Sequence, residues 1–449
     1  MNKTLSLSND FTQAICTTCI NQQQDKIAQW LSSYEKIHTP IYSSVDIRDA
    51  GFKIAVVDTN LYPAGFNNIC EHGQADAVKL IKTAILKRVP DARNIIIAAE
   101  EHTRNTWYLE NVRILEHIIK DAGFDVRIAT FFAKEPSFCE QAAHAIELET
   151  ATGNTVKIYC FKHILNKINQ GLFKTDAIIM NNDLSTGIPE TLLNSNIPVF
   201  PSMHAGWHAR LKSKHFEFTN QLIQELASIV GIDPWLMSCL FRSTDEIDIQ
   251  QEADRQQLYA TAVDLFAQIA KKHAEYNIKA KPYIILKADA GTYGLGVLAI
   301  EDPAEILKLN SRKRNDLTRG KGNTTVSRFI LQEGVATIHR LEGNPSEVCI
   351  YQIDNNFIGG FYRYHTAKNE REILNSPGGM SFQKMCPHLD KYGQDCGIQH
   401  NMNVFDVYRI LARVAGIAAS REIKELDSRL STLVPGISKG HGNDKGKLK

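Results

Sequence analysis

Over the first two hundred residues, short apolar runs that end in polar tips alternate with amphipathic stretches. Residues 52–58 (FKIAVVD), 94–99 (NIIIAA) and 176–180 (DAIIM) predict strands, and shorter runs at 125–129 (DVRIA) and 197–200 (IPVF) add two more. Between them, residues 74–88 and 107–121 place apolar side chains at i, i+3, i+4 spacing and predict helices. Strands alternating with helices of this length imply a largely parallel sheet. Such sheets bind ligands beyond the carboxyl ends of their strands.

The pattern changes further on. Residues from about 216 to 273 read as helical, with a break at Gly231–Pro234, and the composition shifts at Lys279–Pro282. A strand (PYIILK), a glycine loop (ADAGTYGLG) and a second strand (VLAIE) follow. Strands at 326–332, 347–353 and 357–363, with DNN at 354–356 as a hairpin turn, predict an antiparallel region. A helix over 404–426 comes next, and the closing run SKGHGNDKGKLK has the composition of a disordered basic tail. The fold class expected is therefore α/β and α+β, a parallel-sheet N-terminal part followed by an antiparallel C-terminal one.

A chain of 449 residues holds two or three domains, and 43% apolar with 22% charged residues is a globular profile. A net charge of +1 supplies no bulk attraction for nucleic acid or an anionic membrane, so any anion must be held by a local cluster of donors. No run approaches the roughly 20 apolar residues that cross a bilayer, and the first residues lack a secretory core. Nine cysteines, odd in number and irregularly spaced, predict no disulfide framework and fit a reducing cytoplasm. The Cys16–Cys19 pair lacks a second pair at zinc-finger spacing and reads as two small apolar residues on a helix.

Lys287 closes a strand and is followed by Gly291, Gly294 and Gly296. Glycines let backbone N–H groups approach phosphate oxygens, and the lysine adds a point charge. The loop matches neither a Walker A nor a dinucleotide pattern. A hairpin flap over a nucleotide and a tight structural hairpin both fit.

Polar clusters stand at 57–68, 100–112, 181–190 and 203–216. Each alone reads more readily as solvated loop than as a site, but three directly follow predicted strands. Their chemistry suits a zwitterionic amino acid. Arg48, Arg104 or Arg210 could hold an α-carboxylate bidentately, Asp58 or Asp183 an α-ammonium, with asparagines completing the shell.

The segments LKADAGTYGLGV, LQEGV, GGFYRYH and ILNSPGG resemble, in order, the peptide-ligase branch of the ATP-grasp fold. Together with SVDIRDAGFKIAVVDTNLYPAGFNN, EEHTRNTWYLENV, NNDLS and GWHARLKSKHF, they resemble the proteobacterial glutamate–cysteine ligases of iron-oxidiser type, from about residue 10 to about 430. That resemblance implies ATP-dependent joining of the glutamate γ-carboxylate to the cysteine amine through γ-glutamyl phosphate, the first step of glutathione synthesis, with magnesium as cofactor.

By the same resemblance Lys287, Gly291, Gly294 and Gly296 cover the phosphates, and Gln332, Glu333, Gly334 and Val335 form the adenine hinge. Arg363 and Asn375 work at the reaction centre. The family's acidic pair has no clear counterpart; Glu372 with Asn375 are the substitutes for the metal site, Asp354 is a weaker one that reads better as a turn cap, and Asp58 with Asn60 also present a D-x-N. Glutamate and cysteine fall to Arg48, Asp58, Asn60, Asn67, Asn68, His102, Arg104, Asn105, Asn181, Asn182, Asp183, Trp207 and Arg210.

The domains implied are an amino-acid-binding region at 1–215, a helical connection at 216–280, an ATP-grasp-like region at 281–430 and a tail at 431–449. A cytoplasmic protein is expected, possible as a homo-oligomer, acting on small molecules. A ligase for another amino-acid pair and a non-catalytic ATP- or amino-acid-binding protein are the alternatives.

Overall fold

The computed structural model describes residues 20–35, 37, 39–131, 145–291, 296–320, 325–376, 378–387 and 402–433. Cys16, Cys19, Gly294 and the last sixteen residues lie outside them.

Three sheets organise the described chain. The first contains β3 (Asn94–Ala99), β4 (Asp125–Thr130), β5 (Ile146–Glu149), β6 (Thr155–Cys160), β7 (Ala177–Asn181) and β8 (Val199–Phe200), in the order β5-β6-β4-β3-β7-β8. All its pairings are parallel except β5 with β6. The continuous apolar runs of β3 and β7 suit a sheet covered on both faces. Ile95 and Ile97 pack with Ile81, Val112 and Leu115 of the helices Glu71–Arg88 and Thr106–Asp121. Ile96, Ile178 and Met180 face Phe161 and Ile164 of the helix Phe161–Asn169 on the other side. Cys160, at the end of β6, is disulfide-bonded, whereas Cys70, Cys239, Cys349 and Cys386 are free thiols.

The second sheet is antiparallel and joins the two ends of the chain. It runs β16-β15-β14-β1-β2 through β1 (Tyr42–Asp49), β2 (Ile54–Asn60), β14 (Asn344–Ile353), β15 (Asn356–His365) and β16 (Met380–Met385), with β13 (Arg340–Leu341) beside β14. The run at 52–58 is therefore corrected: as β2 it pairs antiparallel with β1 and takes no part in the parallel sheet. The strand β1 escapes an apolar-run reading because it alternates. Val45 and Ile47 enter a core with Phe216, Leu222, Leu411 and Ala415, while Ser44, Asp46 and Arg48 take the opposite face. The helices Lys212–Val230 and Met402–Leu433 cover the apolar face. The second of these outruns the expected 404–426 and carries helix into the span assigned to the tail. Between β14 and β15, Asp354 (φ 45°) and Asn355 (φ 64°) make the expected hairpin turn with two left-handed residues.

The third sheet, β11-β10-β12-β9, is formed by β9 (Phe241–Ser243), β10 (Ile284–Ala288), β11 (Leu298–Ile300) and β12 (Phe329–Glu333). β10 and β11 pair as the expected strand–loop–strand hairpin, Ile284 opposite Ile300. Ile284, Leu286, Phe329 and Leu331 pack on Leu258, Leu265 and Ile269 of the helix Glu252–Glu275. The helical middle is thus interrupted by β9, which edges this sheet against β12.

Candidate active site

A cavity of about 990 Å³ lies where the three sheets meet. Its floor is the polar face of the antiparallel sheet: Asp46 and Arg48 from β1, Asp58 and Asn60 from β2, Glu347 from β14 and Arg363 from β15. Alternation along each strand puts these groups on one face. One wall is the carboxyl-terminal rim of the parallel sheet, with Glu100 after β3, Asn181 ending β7, and Asp183. The other wall carries Ile285 and Lys287 of β10 and Gln332 of β12.

Charge on the floor is dense and paired. Arg363 Nη1 donates to Asp46 Oδ2 at 2.9 Å and to Glu347 Oε1 at 2.8 Å, and Arg48 Nε donates to Glu347 Oε2 at 2.8 Å. Burial pushes the Asp46 carboxyl up and Glu347 adds to it, beyond what Arg363 offsets. Burial also raises Glu347, but Arg48 and Arg363 outweigh it and hold it below its usual range. Lys212 Nζ donates to Asp58 Oδ1 at 2.7 Å. Burial raises Asp58 as well, yet Lys212 and Lys287 overcome it and keep it ionised. Burial brings the amine of Lys287 down to about 8, with Asp58 opposing and Lys212 reinforcing; its Nζ donates to Val57 O at 3.1 Å.

Several lining residues keep buried polar atoms without a hydrogen-bond partner: Arg363 Nε, Gln332 Nε2, Trp207 Nε1 and Asn67 Oδ1. Unpaired buried polar atoms are uncommon in folded proteins and call for an explanation. Here they lie along a cavity that could hold a polar ligand.

Of the expected residues, the structure gathers Lys287, Gly291, Gln332, Glu333, Val335, Arg363 and Asn375 around this cavity. It also brings Arg48, Asp58, Asn60, Asn67, Asn68, Asn105, Asn181, Asp183 and Trp207 to it. Some of these serve the scaffold with the same side chain. Asn105 caps the helix Thr106–Asp121 by accepting from Tyr108 N. Asn181 donates to Pro63 O and accepts from Asn111. Asp183 accepts from Ser185 N and Oγ. Arg48 also donates to the carbonyls of Val335 and Glu372, which leaves it a strut rather than a bidentate carboxylate clamp. Glu333 is ion-paired with Lys53 at 2.8 Å and accepts from Trp235 Nε1. The N–H groups of Glu333 and Gly334 go to Leu240 O and Tyr283 O.

Other expected residues are not brought to the cavity. Arg210, 1% exposed, spends Nε on Glu422 at 2.9 Å and Nη1 on Thr59 O at 2.7 Å, so it cannot reach a substrate. His102 and Arg104 line a separate surface recess of about 570 Å³. Asn182 turns its amide to Leu184 N and Ala99 O. Gly296 and Gly334 stand outside the lining. Glu372 pairs with Lys368 at 3.0 Å, accepts from Asn369 N and stands outside the lining, whereas Asn375 lies in it.

Beside Asp58 the structure brings a second carboxylate, Asp46, that sequence reasoning passed over. Asp46 and Asp58 are cross-strand neighbours in the β1–β2 register and both face the cavity. Their carboxylate oxygens are hard donors of the kind that hold small divalent cations. The signal lay in SVDIRD, where polar residues alternate with apolar ones, but it became legible only once β2 was known to lie alongside. Among the described residues no helix is long and apolar enough to cross a membrane.

The glutamate–cysteine ligase family model matches residues 17–423. No curated protein matches. Among solved structures, the "Putative gamma-glutamylcysteine synthetase" of Methylobacillus flagellatus is 34% identical, with 94% of this chain and 98% of that one covered and a TM-score of 0.80. A glutathione synthetase-like effector of Globodera pallida overlaps 85% of this chain and 84% of its own at 8% identity and a TM-score of 0.33, too little to carry an argument. A family match over nearly the whole chain, with a polar cavity at the meeting point of its sheets, leads to one conclusion: the chain belongs to the glutamate–cysteine ligase family.

Proposed function

We propose that the cavity joins the γ-carboxylate of glutamate to the amine of cysteine at the expense of ATP, through γ-glutamyl phosphate. The observation that carries this reading is the set of buried donors left unfilled along the cavity, Arg363 Nε and Gln332 Nε2 foremost, next to the cationic Lys287. An ATP polyphosphate and two amino acids together bring many acceptor oxygens, which suits that surplus.

In this scheme a γ-carboxylate oxygen of glutamate attacks the terminal phosphorus of ATP, and the bond to ADP breaks. The cysteine amine then attacks the acyl carbon, phosphate leaves with the shared oxygen, and the amine proton passes to solvent. Lys287 holds phosphate oxygens, and Arg363 faces the transferred phosphoryl group. Asp46 and Asp58 would hold magnesium, which supplies charge neutralisation at the phosphates. Gln332 reads the nucleotide with its side-chain amide, and Asn375 borders the reaction centre. Asn60, Asn67, Asn68 and Trp207 contribute to the amino-acid sites. Exclusion of bulk water during the reaction would protect an acyl phosphate from hydrolysis.

The test is ADP release with glutamate and cysteine added singly and together, with product identified by mass. Release that needs both amino acids, with heavy oxygen passing from the glutamate γ-carboxylate to phosphate, is expected. ATP binding without turnover on any amino-acid pair would overturn the proposal.

A further inference from the structure

Beyond the cavity, one group of side chains has its own chemistry. Cys70, His72 and Cys386 bring their ligand atoms within 4.8 Å of one another. The first two belong to the start of the helix Glu71–Arg88, and Cys386 directly follows β16. Both thiols are buried, and the Cys386 Sγ to His72 Nδ1 distance is 3.9 Å. With zinc–sulfur bonds of about 2.3 Å and zinc–nitrogen bonds of 2.0–2.1 Å, tetrahedral geometry sets that separation at roughly 3.6 Å. A small adjustment closes the difference.

The position is also stiff. A Cβ on Gly73 would come within 2.2 Å of Ile358 O, so the first turn of the helix is pressed against β15. Cys70 caps that helix, its Sγ accepting from Gly73 N at 3.5 Å. Thiolate is the form that binds metal, so binding displaces the thiol proton.

We infer that Cys70, His72 and Cys386 form a site for a thiophilic divalent cation, zinc in particular, distinct from the cavity. Binding replaces the protons of two thiols with one metal ion, so two protons leave per zinc. None of the three residues lines the cavity, but their neighbours do: Asn67 and Asn68 on one side, Ser381 and Phe382 of β16 on the other. The metal would tie those two parts of the lining together.

The test uses the full chain, stripped with a chelator and titrated with zinc against a chromophoric competitor. One zinc per chain, release of about two protons, and loss of binding in His72→Ala and Cys386→Ser are expected. Cys239→Ser, a buried thiol elsewhere, should bind as the parent does. Circular dichroism establishes that the variants are folded, and the half-buried His72→Ala keeps the test valid if Cys386→Ser is not. Failure of the parent to bind stoichiometric zinc, or undiminished binding by a folded His72→Ala, would overturn the inference. So would a Cys70–Cys386 disulfide in protein purified under reductant. The readout needs no turnover, so it stands apart from the ligase assay.

Discussion

Lys212 and Asp58, 154 residues apart in sequence, meet at 2.7 Å on the cavity floor. Lys287 lies close enough to feel both, and this trio of charges sets the pH response of the site. Burial has lowered the Lys287 amine to about 8, so its charge is lost as pH rises through that value. ATP affinity in the absence of amino acids should weaken across the same range. Asp58 raises the Lys287 value, so Asp58→Asn should move the step to lower pH, and Lys287→Arg should remove it. ATP titrations between about pH 6.5 and 9.5 check this. The stability effect has the opposite sign. A lysine whose folded value lies below its unfolded one costs stability at low pH, and that cost is relieved as pH climbs from about 8 towards about 10.4.

If Lys287 holds phosphate oxygens as proposed, Lys287→Ala should lower turnover by at least about a hundredfold, because it removes the charge assigned to the transferred group. Melting temperature should hold or rise, because a desolvated cation has gone. Near-normal kcat in a folded variant would place the chemistry elsewhere.

Arg363 should behave differently. Replacing it with alanine strands Asp46 beside Glu347, which keeps only Arg48, and removing one partner of a buried ion pair costs about 3–5 kcal/mol. Arg363→Ala should therefore lose both stability and turnover. Arg363→Lys should recover part of the stability and little of the rate, because a point charge cannot reproduce the planar fork. Denaturant melts run beside kcat measurements separate the two effects.

Arg210→Ala should unfold more readily by a similar amount, about 3–5 kcal/mol, through the stranded Glu422 carboxylate. In the fraction that folds, KM for ATP and both amino acids should stay near the parent values. A selective rise in KM for one amino acid would return Arg210 to the substrate site.

Asn67→Ala should raise KM for one amino acid by about 10- to 100-fold, the cost of a hydrogen bond to a charged group. KM for ATP should change little. Separate titrations of glutamate and cysteine then assign that corner of the cavity to one of them.

What the sequence made legible was local. Lys287 with its following glycines, the Asp354–Asn355 turn and the strand-ending Asn181 sit in short segments whose chemistry and conformation are decided by near neighbours. Pairings across the chain were hidden. Arg48 and Arg210 look alike as candidate carboxylate clamps, and only tertiary contact shows each held by a glutamate far along the chain. Asp46 sat in a half-polar strand with no motif, and its importance depends on Asp58 and Arg363 arriving beside it. The Cys70–Cys386 group, 314 residues from His72 to Cys386, is of the same kind.

The pairing of β1 with β14 has a consequence for the newborn chain. Arg48 must wait for a partner 299 residues downstream, which at bacterial or eukaryotic synthesis rates is roughly 15–60 s. During that interval the parallel sheet can assemble from its own contiguous segment, while β1 and β2 have only each other and offer an open strand edge. Catalytic competence is therefore a late event of biosynthesis, and a ribosome that stalls before β14 releases a chain with half a floor and a sticky border.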